Sequence, residues 1–322
     1  MPICDQNQLL VAVSYVYLGA REVSLLGPDL SWAKVSLPIT LGYQAVGRLV
    51  RADSRFSWPA GQPVFLSGFV PCDGCEHCRR GATNLCMSRA LHGINVDGYA
   101  AEFVCAARQA VFPVSNSIPE HLVPAMSEVG TALRALRRTG GAFGKRVAVV
   151  GGGDIGLTAG VLARIGGAAE VVVVDPDARA RARAEEILGA SSAVLPADLQ
   201  TGEMDVVIEA SGAEAGVVSA IRAAGDRGTV VLLSALGRTE ICFASFYEEV
   251  VARELTILAS RGKSRDELAV AAELLATKPL LQQIFELNPI RTLDEAPAIL
   301  SALLKRELCG PVPIAVQQKS AA

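Results

Sequence analysis

The sequence predicts an α/β chain of two domains, a first all-β domain followed by a doubly wound parallel sheet. Two textures and one glycine turn predict it. Up to about Ile118, short apolar runs alternate with Gly, Pro and Asp. From about Ala125 to Ser260, β-branched runs alternate with Ala-rich stretches. Between the first such run and the first such stretch lies Gly151-Gly152-Gly153-Asp154-Ile155-Gly156. The length of 322 residues agrees, because single cores stop growing at roughly 250–300 residues.

In the first domain, Leu9–Val13, Ala45–Val50 and Pro63–Leu66 read as short strands, and a Cys-rich segment interrupts them. In the second, Arg146–Val150, Val171–Val174, Val206–Ile208, Thr229–Leu233 and Leu255–Ala259 read as strands, with a weaker run at Ser192–Leu195. Such runs lack polar alternation, which suits parallel strands buried on both faces. Ile155–Ile165 and Ala178–Leu188 read as helices between them. After Ser260 the chain reads as mostly helical, with Ser264 and Glu267 at capping-box spacing ahead of Leu268–Leu275. The tail Gln317–Ser320 is expected to fray.

Composition excludes several classes. The net charge is −3 without a long basic run, so nothing favours a nucleic-acid backbone. No stretch of about 18 residues is apolar throughout, so no membrane span is expected. Met1-Pro2-Ile3-Cys4-Asp5-Gln6 has no basic region followed by an apolar core, so no secretory signal is expected. The expectation is a reducing cytoplasm, in which the eight cysteines are thiols and metal ligands. Cys4, Cys105, Cys242 and Cys309 are scattered and read as buried thiols.

Gly151, Gly153 and Gly156 fit G-x-G-x-x-G, following a strand and opening a helix. The first permits a tight turn, the second lets the backbone approach a pyrophosphate, and the third lets helix pack on strand. Asp154 and Ile155 complete the turn, and a pyrophosphate would rest on the free N–H groups of the helix N-terminus. A second strand ends at Asp175, 19 residues after Gly156. A carboxylate there accepts from both adenosine ribose hydroxyls and repels a 2′-phosphate, so NAD is favoured over NADP. Arg179 and Arg181 lie near enough to leave NADP open. The alternative is a glycine turn with no ligand.

Cys72, Cys75, Cys78 and Cys86 follow C-x2-C-x2-C-x7-C. Four thiolates complete a tetrahedral zinc shell with no open position, which makes the site structural. Free thiols or a redox disulfide are the alternative. His77 lies inside this lobe and is expected to face solvent.

The cysteine lobe followed by the glycine turn resembles the medium-chain dehydrogenase/reductase family, in its zinc-containing alcohol dehydrogenase branch, over nearly the whole chain. Asp205–Gly212 is similar to the family's strand near the nicotinamide, which puts Ser211 beside the cofactor. Glu254–Ile257 with Ser260-Arg261-Gly262 is similar to the segment returning to the first domain, and Leu293–Ala296 to a late helix start. The resemblance implies a GroES-like domain over residues 1–122, a Rossmann domain over 123–261, and a segment over 262–322 that returns to the first. It also implies an active-site cleft between the domains, NAD(P)-dependent hydride transfer on a small molecule, and a homodimer. The sheets would join edge to edge through Thr229–Leu233 or Leu255–Ala259.

This chain departs from the family where a catalytic zinc is bound. The early Cys ligand is replaced by Gly19, the hydroxyl two residues on by Arg21, and the Gly-His-Glu triplet by Gly42-Tyr43-Gln44. The later ligand falls near Ser127 and Glu128, and none of the three histidines, His77, His92 and His121, stands at the expected place. A developing oxyanion still needs a donor or a proton. Tyr43 is the first candidate; Arg21 and Glu22, with Tyr17, are the second. The alternatives are that Tyr43 fills space and that Arg21 and Glu22 form a surface ion pair. Three functional readings stay open. One is metal-free reduction or oxidation of an activated C=C bond, an imine or a carbonyl. The second is a zinc-dependent alcohol or polyol dehydrogenase with atypical ligands. The third is a catalytically silent NAD-binding protein.

Overall fold

The structure is a computed structural model that describes residues 1–26, 35, 37–51, 57–189, 192–234, 236, 240–285, 289–305, 307–308 and 311–316. Two compact units result, one from Met1–Ser127 with Ala272–Ala322 and one from Glu128–Ala271.

In chain order the first unit contains β1 (Gln8–Leu18), α1 (Ala20–Leu25), β2 (Gln44–Leu49), β3 (Pro63–Leu66), β4 (Phe69–Val70), α2 (Glu76–Arg79), β5 (Ala90–Leu91), β6 (Phe103–Ala107) and β7 (Val111–Pro113). The apolar residues of β1 alternate at first and then run continuously, so its inner face and its far end are both buried. Its length lets it pair with two strands along one side. Gln8–Ala12 pair with β6 and Tyr15–Leu18 pair with the C-terminal strand Val312–Ala315, while β2 takes the other side. The core on this sheet gathers Val11, Val13, Val16, Val64, Leu66 and Ile314.

The chain continues through α3 (Met126–Arg138), β8 (Arg146–Val150), α4 (Asp154–Ile165), β9 (Glu170–Val174), α5 (Ala178–Leu188), β10 (Ala193–Val194), β11 (Met204–Glu209), α6 (Glu214–Ala223), β12 (Ala224–Leu232), β13 (Thr256–Ala259) and α7 (Arg265–Thr277). The six strands of the second sheet lie in the order β10-β9-β8-β11-β12-β13, and every neighbouring pair is parallel. Val147–Val149, Val206–Ile208, Val230 and Val231 are almost wholly buried, as runs without polar alternation require. The order reverses between β8 and β11, so the crevice at their carboxyl ends is the topological switch point. One strand differs from the expectation. β13 is largely exposed, because it is the sheet edge and only β12 pairs with it.

The last part holds α8 (Pro279–Gln283), β14 (Arg291–Thr292), α9 (Ala296–Leu304) and β15 (Val312–Ala315). It is therefore not only helical: β14 and β15 complete the first sheet at its β1 side. Ser264 N donates to Glu267 Oε2 at 2.7 Å, half of the expected capping box. No helix among the described residues is long and apolar enough to cross a membrane.

The scattered cysteines correct the sequence reading. Cys4 and Cys105 form a disulfide with Cα atoms 5.3 Å apart. A turn in which Gln8 N donates to Asp5 O folds the N-terminus back, and antiparallel pairing brings β6 alongside β1. The premise that every cysteine is reduced therefore fails at this pair. Cys242 is exposed rather than buried. Cys309 and the tail Gln317–Ser320 lie outside the described residues.

The bond spans 101 residues, a loop long enough to restrict the unfolded chain strongly. Replacing Cys105 by Ser is expected to lower unfolding free energy by about 2–4 kcal/mol in urea titrations, with dithiothreitol giving a similar loss in the parent chain. Equal midpoints with and without dithiothreitol would show that the bond carries no stability.

Candidate active site and metal site

The glycine turn leaves β8 and enters α4 at Gly153. Gly151 has φ of 106°, and a Cβ there would lie 2.7 Å from the Ser211 backbone. A Cβ on Gly156 would lie 1.9 Å from Gly151 O, so helix and strand meet there at backbone distance. A Cβ on Gly153 would meet no atom within 4 Å, so nothing inside the protein demands glycine there. That open space above the turn is where a pyrophosphate would fit. Ile155 is half-buried in the first turn of α4. Asp154 points its carboxylate at Arg183 of α5, at 2.7 Å, with both side chains mostly covered.

Asp175 stands at the end of β9. Its Oδ2 accepts from Gly152 N at 2.7 Å and its Oδ1 from Asp177 N at 2.8 Å. An ionised carboxylate has about four acceptor positions, so capacity for ribose hydroxyls remains. The nearby arginines are engaged: Arg179 pairs with Asp177 at 3.1 Å, and Arg181 donates to the carbonyls of Asp175 and Pro176.

Across the switch point, Ser211 is held by its own strand. Its N and Oγ both donate to Glu209 Oε1, at 2.8 and 2.6 Å, and its Oγ accepts from Ala213 N. Glu209 was missed by the sequence reading. It is fully buried, and its Oε2 has no hydrogen-bond partner among the described residues. The available signal was an acid ending the apolar run Val206-Val207-Ile208.

In the first unit, the four lobe cysteines converge. Their sulfurs all lie within 4.8 Å of one another, with Cys75–Cys78 at 3.5 Å and Cys75–Cys86 at 3.9 Å. A tetrahedron of thiolates about 2.3 Å from one zinc has edges of roughly 3.8 Å, so the set fits that ion. Cys72 N donates to Cys86 Sγ and Cys75 N to Cys72 Sγ, contacts that favour sulfur as thiolate. The four are free of disulfides. Among the described residues no other group of three or more His, Cys, Asp or Glu side chains converges in this way. His77 is partly exposed and stands outside the group.

Glu22, Arg21 and Tyr43 come together as a unit. Glu22 lies in the first turn of α1 and is only 4% exposed, so it is not part of a surface ion pair. Its Oε2 accepts from Gly19 N and its Oε1 from Tyr43 N, each at 2.9 Å. Burial pushes its carboxyl above the usual range, and the N–H groups of Tyr43 and Gly19 partly oppose this. Arg21 is exposed, and its guanidinium lies 5.1 Å from the centroid of the Tyr43 ring. Tyr43 is buried against Leu91, Ile94 and Phe69. Tyr17, the other aromatic candidate, spends its hydroxyl on the carbonyl of His121. Ser127 is buried.

A second missed group adjoins Tyr43. The His92 ring stacks on Tyr99 with centroids 4.4 Å apart and planes at 22°. Tyr99 is fully buried, donates to Ser67 O at 2.9 Å, and is held above the ordinary phenol range by burial and then by Tyr43.

Comparison with known proteins agrees with this layout. The alcohol dehydrogenase GroES-like domain matches residues 5–116 and the zinc-binding dehydrogenase domain residues 155–277. A zinc-type alcohol dehydrogenase-like protein of Haemophilus influenzae is 28% identical over 305 residues, covering 89% of this chain and 87% of its own. The L-threonine 3-dehydrogenase of Bacillus licheniformis is 26% identical over 279 residues, covering 83% and 80%. A protein described as a zinc-binding dehydrogenase of Sinorhizobium meliloti 1021, solved with NADP bound, superimposes with a TM-score of 0.84 at 28% identity, covering 98% and 93%. With a GroES-like sheet, a parallel dinucleotide sheet and both domain matches in chain order, the chain belongs to the medium-chain dehydrogenase/reductase family and is an NAD(P)-dependent oxidoreductase.

Proposed function

We propose that this oxidoreductase works on the alcohol–carbonyl couple of a small polar substrate, prefers NAD, and holds one structural zinc and no catalytic one. The assembly of Gly19, Glu22 and Tyr43 carries the reading. Where the family resemblance expects a thiolate and an imidazole, there stand a glycine and a phenol. The carboxylate between them is used by two backbone N–H groups. Zinc prefers thiolate and imidazole donors, and this set offers neither. Relatives named L-threonine 3-dehydrogenase and L-galactonate-5-dehydrogenase favour a hydroxyl or ketone over an activated C=C bond or an imine.

When bound, the nicotinamide supplies the hydride acceptor or donor. The first N–H groups of α4 bind the pyrophosphate, and Asp175 accepts from the ribose hydroxyls. Arg179 pairs with Asp177 and Arg181 donates to backbone carbonyls, which supports NAD. Tyr43 donates a hydrogen bond to the substrate oxygen, Glu22 fixes the backbone of that tyrosine, and Arg21 covers its ring. Cys72, Cys75, Cys78 and Cys86 hold the zinc that stiffens their loop. A homodimer joined through β13 completes the proposal. β12 is paired on both sides, so of the two expected contact strands β13 is the one with a free edge, and Ile257 is exposed on it.

Elemental analysis of protein purified without added metal is expected to give close to one zinc per chain, and Cys86→Ser to lose it with a lowered Tm. Two zincs per chain would remove the metal-free reading. Asp175→Asn loses the charge on the ribose acceptor, and NADH affinity by fluorescence titration is expected to fall about 10–100-fold, with NADPH affected less. An unchanged ratio of the two affinities would remove Asp175 from cofactor choice. Glu22→Ala strips two buried N–H groups of their acceptor and is expected to cost about 2–4 kcal/mol in urea unfolding. The pH sign follows from the raised carboxyl. The contribution of Glu22 is full below the ordinary value of 4.5 and falls as pH rises through the folded value. The gap between the parent and Glu22→Gln should therefore narrow with rising pH, and a widening gap would contradict the buried assignment.

A further inference from the structure

Glu209 ends β11, at the carboxyl edge of the sheet beside the point where the strand order reverses. A carboxyl buried at the end of an apolar run is costly unless it is bonded, so its partners indicate its use. Oε1 accepts from Ser211 N at 2.8 Å and from Ser211 Oγ at 2.6 Å. Oε2 has no partner among the described residues, so both donors to this carboxyl come from Ser211.

Ser211 is likewise committed to its surroundings. Its N–H and its O–H donate to Glu209, and its Oγ accepts from Ala213 N at 3.1 Å, where the chain enters α6. A Cβ on Gly216, in the first turn of α6, would lie 1.9 Å from Ser211 Oγ and 3.2 Å from Glu209 Oε1, so glycine leaves the hydroxyl its room.

The backbone of Ser211 is what the glycine turn rests on. A Cβ on Gly151 would lie 2.7 Å from both Cα and N of Ser211, and 2.8 Å from the Ala210 carbonyl carbon. Ala210 N donates to Val150 O at 2.8 Å, which ties the two strand ends together. Gly156 meets Gly151 O at backbone distance, so the first turn of α4 sits on Gly151. Contacts therefore run without a gap from Glu209 through Ser211 and Gly151 to α4, all inside the second unit. Where both sides of a contact are backbone, no rotamer change can relieve a shift.

We propose that Glu209 is a positioning residue for the cofactor. Through Ser211 it fixes where the glycine turn lies, and with it the N–H groups that receive the pyrophosphate. This rests on the reading above that the first turn of α4 binds the pyrophosphate, and it is independent of any metal. Glu209 lies beneath the turn and acts without touching the ligand. Ser211 serves by its backbone, since its N–H and O–H are already used. The N–H groups at the start of α4 ride on one helix, so a displaced turn lengthens their bonds to the pyrophosphate together.

The test measures the affinity of the purified full chain for NADH by fluorescence, and for adenosine and ADP by displacement of NADH. Adenosine carries the ribose assigned to Asp175, ADP adds the pyrophosphate, and NADH adds the nicotinamide riboside. Ser211→Ala cuts the link and is expected to weaken ADP and NADH by the same factor, about tenfold, and to leave adenosine unchanged. Glu209→Leu removes the acceptor and is expected to do the same where it folds. Glu209→Gln keeps a carbonyl oxygen for Ser211 and places an amide N–H where Oε2 has no partner. It is expected to lower the urea midpoint while ADP and NADH affinities stay as in the parent. A merely structural carboxyl would instead lose affinity along with stability in every variant. A Ser211→Ala loss seen for NADH alone would make Ser211 a direct nicotinamide contact and overturn the proposal. An equal loss for all three ligands, or unchanged ADP affinity, would overturn it as well. If ADP binds the parent no better than adenosine, the pyrophosphate reading falls and takes the proposal with it.

Discussion

Burying a carboxylate away from water is expensive unless hydrogen bonds replace its hydration. Glu22 meets that condition with two backbone donors, and those donors belong to different elements. One is Gly19, at the N-terminus of α1; the other is Tyr43, immediately before β2. The same carboxylate therefore sets where α1 begins and where the tyrosine backbone sits. Gly19 and Tyr43 fall at the positions the family resemblance assigns to metal ligands. Two backbone hydrogen bonds to one carboxyl group join these positions. Glu22 is on this account a positioning residue, although its type and place in the sequence suggested a chemical one.

The dinucleotide turn poses a separate electrostatic problem. Asp154 places a negative charge in the first turn of α4, where a pyrophosphate is expected to rest. Arg183 answers it from α5 at 2.7 Å, in a setting where both side chains are mostly covered and screening is weak. The pair leaves the N–H groups of the turn as the dominant field. At Asp175 the carboxylate accepts from the N–H groups of Gly152 and Asp177, while Arg181 donates to its backbone carbonyl.

The parts of the fold written in periodic apolar runs were legible from sequence. Arg146–Val150, with the glycines behind it, predicts β8 to the residue. Ala178–Leu188 predicts α5 equally well. The parts that failed depend on distant partners. Val312-Pro313-Ile314-Ala315 falls in the stretch that reads as mostly helical, and it forms a strand because β1 is long enough to offer it a place beside β6. Cys4 and Cys105 carry no spacing signal, since their meeting depends on a turn and on antiparallel pairing. The four lobe cysteines were legible because their ligand geometry is local. His92 was not, because what distinguishes it is a carbonyl, a phenol ring and a glycine that folding brings to it.

These local and distant parts meet at one hairpin. The lobe from Cys72 to Cys86 is the insertion between β4 and β5, and Phe69 pairs with Leu91 across its base. The next residues outward on the two strands are Gly68 and His92, which bond to each other beside Tyr43. Anything that fixes the lobe therefore fixes the register of the hairpin, and a slip of one residue would turn both side-chain sets to the opposite face. β4 and β5 have only two residues each, too few to hold that register by strand pairing alone. Four converging thiols lie in the intervening loop, and a metal held by them would supply the missing constraint. A metal held there would keep His92 bonded to Gly68, and Gly68 against the Tyr43 ring.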